Sequence, residues 1–567
     1  MIKVKHIGTF FGPNPFSAKK AIVFEIQNTD SFLEDHYISR TSELKDLLPS
    51  DFEDFDCTGR HGAVKYVAKF LLEFLNYMRG DLRFSEVKYL SGRPIIVTDF
   101  HNQQVNIQVL KRLCAWLFAK NLNGDACKRE ITELWNLCKK YHPDFQAHAL
   151  IEGAKLTGCS YLNLDGKYWV YGLGKGSKTF FETSLVSDLK GPRFSKSFCK
   201  SIFTEVGAPT APFAYIQSSE DEERVAKEIG YKCVAKPLNG GSGIGITANI
   251  SNFEEFGLAV EKARLQSAED EPVLVEKHFE GFDYRLLFTN GKFQGCIKRD
   301  APFVIGDGNS AIKILISLGN RNTSGSLYKS DYQRPIKIDD KLKSHLATQK
   351  LNLSCVLPAG KKVYLLSVNN LSGGGNASLV SNVHPKVLSF AEAVAKKLDV
   401  YSVGIDYIST DISEDPDKLQ GVFTEFNRTP GVAGFIASGC APSDIGKRFL
   451  GDNCFNIDIC VYIVPDHKLR ETLHIAELEH ALIAPNYIVK NGKPHKVPGK
   501  IFLTVLAKYA RDISLKKMNV ILPESHVLKH GLIENITSVC VDTDIGLSAL
   551  NFLKLSNISY LPLNHSD

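Results

Sequence analysis

The sequence predicts an α/β protein built of α+β lobes, with an N-terminal α/β domain and a small C-terminal α/β domain. Three observations point there. Apolar strand-like runs alternate with helix-period segments along the chain. Glycine-rich turns punctuate them, above all at 239–245 and 372–376. A chain of 567 residues is too long for one ordinary core, so two to four domains are expected. The expected boundaries are 1–150, 151–454 and 455–567.

In the first segment, 3–10 and 20–27 read as strands around the turn Gly12-Pro13-Asn14-Pro15. Residues 62–78 carry Val64, Val67, Ala68, Leu71, Leu72 and Leu75 at helical spacing, and 105–120 and 129–141 read as two more helices. Their apolar stripe is core, and no catalytic constellation appears among them. Next come a helix at 148–157 and strands at 161–164 and 168–173. The run Gly172 to Thr179 superficially resembles a Walker A loop. It fails at Ser177, where glycine should precede the lysine, and no helix begins at Thr179, so it reads as a basic turn. A short helix at 195–206 stops at Gly207-Ala208-Pro209. Strands are expected at 273–276, 284–290 and 292–298, the last two joined across Asn290-Gly291. Residues 318–357 are mostly polar and are expected to be partly mobile. A helix at 385–398 precedes strands 402–409 and 421–427, which flank the acidic loop 411–418. The tail is read as a separate α/β piece, with strands at 456–464, 519–522 and 538–541 and helices at 475–483 and 501–513. His474 and His480 lie six residues apart without an HExxH pattern, so they are not read as a zinc site.

Composition narrows the function classes. Hydrophobic content is 44% and charged content 23%, as in soluble globular proteins. A net charge of +5 gives no argument for a nucleic-acid partner. The 13 cysteines are scattered and form no CxxC pair, which suits reduced thiols in the cytoplasm. No apolar run approaches the ~18 residues of a membrane span, and the N-terminus lacks the apolar region of a signal peptide. A cytoplasmic protein without membrane partners is expected.

The chemistry gathers around 232–246, KCVAKPLNGGSGIGI. A strand ending at Lys236 runs into a glycine loop containing Gly241, Ser242, Gly243 and Gly245. Glycine lets such a loop turn several N–H groups toward one anion, and the lysine adds a full charge. Further on, the strand ending in Glu276-Lys277 can flank a purine ring, and Asp283 can accept bonds from ribose hydroxyls. Either acid alone also fits a solvated loop. Arg285 and Arg299 offer planar forks for phosphate oxygens; Arg299 sits just before Ala301-Pro302. Glu425 and Asn427, two apart on a strand, share a face, and Asp406 lies on the preceding strand. Three hard oxygen donors suit Mg²⁺. The loop Ser372-Gly373-Gly374-Gly375-Asn376 is a weaker candidate for capping a carboxylate or phosphate.

These residues resemble the ATP-grasp superfamily, and more narrowly cyanophycin synthetase and the ATP-grasp half of bifunctional glutathione synthetase. The similar stretches are AKPLNGGSGIGI, LVEKHFEGFDYRLLFTNGK, KRDAPFVIGDG, NNLSGGGNAS, HPKV, GIDYISTDI and EFNRTPG, with IGTFFGPNPFS and GAVKYVAKFLLEFL near the N-terminus. The resemblance covers about residues 1–450. It implies an ATP-grasp fold and places Lys196 and Lys236 as the two ATP lysines, although Ser195 stands where the family usually has Asp. It implies Glu276 and its neighbours at adenine, Asp283 at ribose, Arg299 at the transferred phosphoryl group, and Asp406, Glu425 and Asn427 at Mg²⁺. Arg428, beside the metal strand, is the candidate for gripping a substrate carboxylate.

The implied reaction joins a carboxylate to an amine, with ATP and Mg²⁺, through an acylphosphate. The implied substrates are amino acids or peptides, and the implied assembly is a homo-oligomer. Cyanophycin synthetases continue into a Mur-ligase-like domain with its own phosphate loop. The roughly 110 residues after the ATP-grasp part contain no GxxxxGK[ST], so a second ligation activity is not expected, and the tail reads as a shrunken relic of that domain, a dimerisation piece or an unrelated segment. A nucleotide-binding scaffold and a kinase without ligation are the alternatives.

Overall fold

The computed structural model describes residues 3–27, 43–44, 61–119, 121–190, 194–239, 243–268, 270–323, 335–366, 374–451, 456–469, 481–485, 487–490, 493–496, 502–512 and 514–563. The chain divides into two compact units. One comprises residues 1–144, 154–180 and 452–567; the other comprises 145–153 and 181–451.

In the first unit, four antiparallel strands run in the order Lys3–Phe10, Ala21–Gln27, Arg93–Thr98, Ser85–Leu90. Alternation along a strand sends neighbours to opposite faces. Ile22, Phe24 and Ile96 therefore pack with helices Gly62–Tyr77 and Gln103–Leu117. Ala21, Val23, Ile95 and Val97 face the other way, into a core shared with Ile459, Val461, Met518 and Val520 of the tail. The tail does not stand apart, because its strands complete the second face of the N-terminal sheet. Its own seven-stranded sheet has a parallel centre, with Asp458–Val464 between Lys517–Pro523 and Ser538–Val541.

The expected tail helix at 501–513 is present as Phe502–Tyr509. The one expected at 475–483 is not supported at its end: Ala481–Ala484 is a strand, held in register by Ile483 opposite Val520. The rest of that span, with His474 and His480, lies outside the described residues. The Walker-like run makes a short 3-10 turn at Gly174–Gly176 and leads into the strand Lys178–Phe181 rather than a helix. Among the described residues no helix is long and apolar enough to cross a membrane.

In the second unit two sheets carry the residues of interest. A four-stranded sheet has the order Thr247–Ile250, Cys233–Pro237, Val273–Lys277, Phe213–Ile216. Its back face, with Ala214, Ile216, Cys233, Ala235, Val273 and Val275, packs on helices Glu222–Ile229 and Phe253–Arg264. A five-stranded antiparallel sheet has the order Asn376–Val380, Lys292–Asp300, Phe282–Thr289, Ser402–Ser409, Val422–Asn427. Its central hairpin turns at Asn290 (φ 48°) and Gly291 (φ 70°), the left-handed pair that the Asn-Gly dipeptide suits. Its apolar face, with Tyr284, Leu286, Phe288, Val403, Ile405 and Tyr407, packs on helices Lys196–Glu205 and Pro385–Leu398.

Between those sheets' strands the chain makes a small subdomain of its own. Residues 318–357, expected to be partly mobile, include parts of two helices, Ile312–Thr323 and Asp340–Thr348. Ile312 and Ile316, four apart, meet Leu342 and Leu346, also four apart, in a separate hydrophobic cluster. Within that polar-looking sequence Leu342 and Leu346 form a short apolar stripe that packs on the one just before it. Residues 324–334 lie outside the described residues.

Candidate active site

Strand parity builds the site. On the four-stranded sheet, Val234 and Lys236 alternate with the buried Cys233 and Ala235 and so point to the face away from the helices. Glu276 pairs across from Val234 and shares that face. Lys236 Nζ lies 2.5 Å from Glu276 Oε2. Lys277 points the other way: its Nζ donates to the Tyr231 carbonyl at 2.9 Å, so its side chain does not join the group. The glycine loop returns with positive φ at Gly243 (74°) and Gly245 (77°), as a glycine-specific backbone should. Gly241 and Ser242 lie outside the described residues, as do Ser372 and Gly373 of the second loop.

On the five-stranded sheet, the residues opposite the apolar face are Asp283, Arg285, Arg299, Asp406, Glu425 and Asn427. Their register is direct: Asp283 faces Arg299, Arg285 faces Asp406, and Asp406 faces Glu425. Arg285 grips Asp406 with both Nε and Nη2, the latter at 2.8 Å from Oδ2. Arg299 Nη2 lies 2.7 Å from Asp283 Oδ1 and 3.1 Å from Asp406 Oδ2. Arg299 Nε is buried without an acceptor among the described residues. Asn427 Nδ2 donates to Glu425 Oε1 at 3.4 Å.

One glycine makes the arginine grip possible. A Cβ on Gly404 would sit 2.9 Å from Arg285 Cδ and Nη1. The bare backbone of Gly404 lets Arg285 lie along the strand.

Helix Lys196–Glu205 connects the two groups. Ser195 is its N-cap, accepting a hydrogen bond from Phe198 N at 3.2 Å, which accounts for a serine at this position. Lys196, the first helical residue, is buried, and its backbone N–H donates to the Leu238 carbonyl beyond the lysine strand at 3.2 Å. Burial lowers the pKa of its ammonium, while Glu425 on one sheet pulls it up and Lys236 pushes it down. Lys196 thus feels charges from both sheets. One turn later, Lys200 is fully buried and lies 2.7 Å from Glu276 Oε1.

The acids differ in their titration. Burial raises the pKa of Glu276, but Lys236 and Lys200 outweigh it and hold the carboxyl below its ordinary range. Burial likewise opposes ionisation of Asp406, and Arg285 and Arg299 overcome it. Asp283 ends on the other side: burial and the neighbouring Asp406 raise its pKa against the pull of Arg299. Arg428 stands apart from this face. Its guanidinium donates to the carbonyls of Asp188 (3.3 Å) and Lys190 (3.4 Å) and lies over the Phe194 ring.

Among the sequence candidates, then, Lys196, Lys236 and Glu276 form one group and Asp283, Arg285, Arg299, Asp406, Glu425 and Asn427 another. Lys200 escaped the sequence reading. The signal was present: Lys200 falls in the stripe Lys196, Cys199, Lys200, Phe203, where helical spacing demands core residues. A lysine in such a stripe requires a buried partner.

Comparison with known proteins adds the lineage. Residues 202–293 match the family model described as D-ala D-ala ligase C-terminus. A cyanophycin synthetase from Synechocystis sp. is 33% identical over 248 residues, 43% of this chain and 28% of that protein. The chain resembles an ATP-grasp ligase of the cyanophycin synthetase type. A second cyanophycin synthetase, from Geminocystis herdmanii, is 32% identical over 338 residues, 58% of this chain and 38% of that protein. A glutathione biosynthesis bifunctional protein from Clostridium perfringens is 27% identical over 263 residues, 46% of this chain and 32% of that protein. The similarity therefore spans about a third of the length of these relatives.

Proposed function

We propose that this protein is an ATP-dependent, ADP-forming carboxylate–amine ligase acting on an amino acid or peptide. The observation that carries this reading is the single polar face formed by Asp283, Arg285, Arg299, Asp406, Glu425 and Asn427, with Lys196 sensing both that face and the Lys236 group. Such a face offers cations for a triphosphate and hard oxygens for a divalent metal. The orphaned Arg299 Nε is a donor in want of an anionic acceptor, and it fits a phosphoryl oxygen.

A substrate carboxylate attacks the γ-phosphorus of ATP. The bond from that phosphorus to the bridging oxygen breaks, releasing ADP and leaving an acylphosphate. An amine then attacks the acyl carbon, phosphate departs, and the amine sheds a proton as the amide forms. The protein's part is positioning and charge compensation, which needs no side-chain nucleophile. Lys196 and Lys236, with the turn at Gly243 and Gly245, hold the triphosphate. Glu276 steadies Lys236, Asp283 on the five-stranded sheet meets the ribose, and Arg299 and Arg285 offset charge on the migrating phosphoryl. Asp406, Glu425 and Asn427 would hold Mg²⁺, which supplies positive charge against the triphosphate.

The test is ADP release by the full chain with ATP, Mg²⁺ and a panel of amino acids and dipeptides, with products weighed by mass spectrometry. Release that requires both an acid and an amine, with a product heavier by an amide condensation, is expected. A phosphate ester as the end product, or no turnover with any pair, would remove the ligase reading.

A further inference from the structure

Among the described residues, Lys200 is a buried cation of this region that the reaction scheme leaves without a task. Its side chain is 0% exposed. Its Nζ lies 2.7 Å from Glu276 Oε1 and donates to Thr210 Oγ1 at 2.7 Å. Glu276 in turn reaches Lys236 Nζ through its second oxygen at 2.5 Å. Two ammonium groups therefore share one carboxylate, and the side chains of all three are at most 10% exposed.

The charge count matters. With Lys200 present, the trio sums to one positive charge. Without it, Lys236 and Glu276 are a closed, neutral ion pair. A triphosphate would then have to compete with a buried carboxylate for Lys236, in surroundings where charges interact strongly.

We infer that Lys200 is a positioning residue for nucleotide binding: it takes up the charge of Glu276 and so keeps Lys236 available to the triphosphate. This rests on the ligase reading above. A second, purely structural task is also visible. Thr210 Oγ1 passes the hydrogen bond on to the Phe423 carbonyl at 3.0 Å, on the strand that carries Glu425 and Asn427. The two tasks make different predictions. A charge task is undone by removing the acid as well; a mechanical tie is not.

The experiment is calorimetric binding of the non-hydrolysable analogue adenylyl imidodiphosphate, with Mg²⁺, to the full-length protein. Lys200→Met is expected to weaken binding by about 10- to 100-fold, the range of one charge-assisted contact. Lys200→Gln, which can keep the bond to Thr210, is expected to be as weak as Lys200→Met, and it carries the comparison if the methionine variant does not fold. In a Glu276→Gln background, Lys200→Met is expected to weaken binding by no more than about threefold relative to Glu276→Gln alone, because the acid it compensates is gone. Normal binding by Lys200→Gln, or an equal loss from Lys200→Met in the parent and in the Glu276→Gln background, overturns the inference and leaves the ligase reading standing. Failure of the unaltered protein to bind the analogue overturns both.

Discussion

The two sheets of the second unit solve opposite electrostatic problems with the same pleat. On the four-stranded sheet, one acid, Glu276, lies between two lysines, so the face keeps spare positive charge. On the five-stranded sheet, two arginines are committed to two acids, Asp283 and Asp406, and Glu425 adds a further negative charge with no cation paired to it among the described residues. The difference teaches a division of labour. The first face suits the holding of an anion, and the second suits a metal and a phosphoryl group whose charge changes during reaction. Substitutions on the two faces should therefore fail in different kinetic parameters.

The largest effect is expected from Glu425→Gln, which removes the unpaired acid of the second sheet. Turnover should fall on the order of 10³-fold with circular dichroism unchanged. Near-normal turnover at saturating Mg²⁺ would break the proposed contrast. Next is Lys236→Met on the first sheet. The KM for ATP should rise roughly 10²-fold, with a much smaller change in kcat, because the lost contact is made before and during the transition state alike. A fall in kcat alone would mean that both faces serve the chemical step.

A smaller loss is expected from Gly404→Ala, whose new methyl would crowd Arg285 at 2.9 Å. Arg285 would have to leave Asp406 partly exposed to Arg299 alone, and steady-state turnover should drop about tenfold. No change would show that the Arg285 grip is dispensable.

The smallest effect sharpens the contrast through pH. Glu276 is held below its ordinary value of 4.5, so the unfolded chain binds the proton more readily. Its contribution to stability is present above pH 4.5 and is lost as pH falls through the lowered folded value. Asp283 is raised above 3.8, so its contribution has the opposite sign, present at low pH and lost as pH rises through the raised value. Denaturant unfolding across pH should show Glu276→Gln flattening the acid-side loss and Asp283→Asn flattening the loss on the other side. Identical profiles for the two variants would erase the distinction between the faces.

Much of this was readable from sequence because period two is unforgiving. Within single strands, Asp283 follows onto the face of Arg285 once 282–289 is a strand, and Glu425 onto that of Asn427 once 422–427 is one; the register between strands was not in the spacing. The ion-pair pattern was not readable, since nothing in a strand's spacing says that Asp406 meets one arginine on the next strand and another on the strand beyond it. Arg428 illustrates the same limit: its place after Asn427 suggested a substrate contact, but the strand ends at Asn427 and the guanidinium turns to the carbonyls of Asp188 and Lys190. The expected independence of the tail failed for a related reason. The strands Ala21–Gln27 and Arg93–Thr98 are apolar on both faces, a sign that something must cover the second face, but not a statement of which segment does so. Lys200 was missed because lysine in a helix is ordinarily read as surface.

The most direct test is a crystal structure of the protein with Mg²⁺ and a non-hydrolysable ATP analogue. The account predicts the triphosphate held by Lys196 and Lys236 on one side, with Arg299, Glu425 and the metal on the other. A nucleotide seated elsewhere, with Lys236 and Glu425 touching nothing bound, would contradict it.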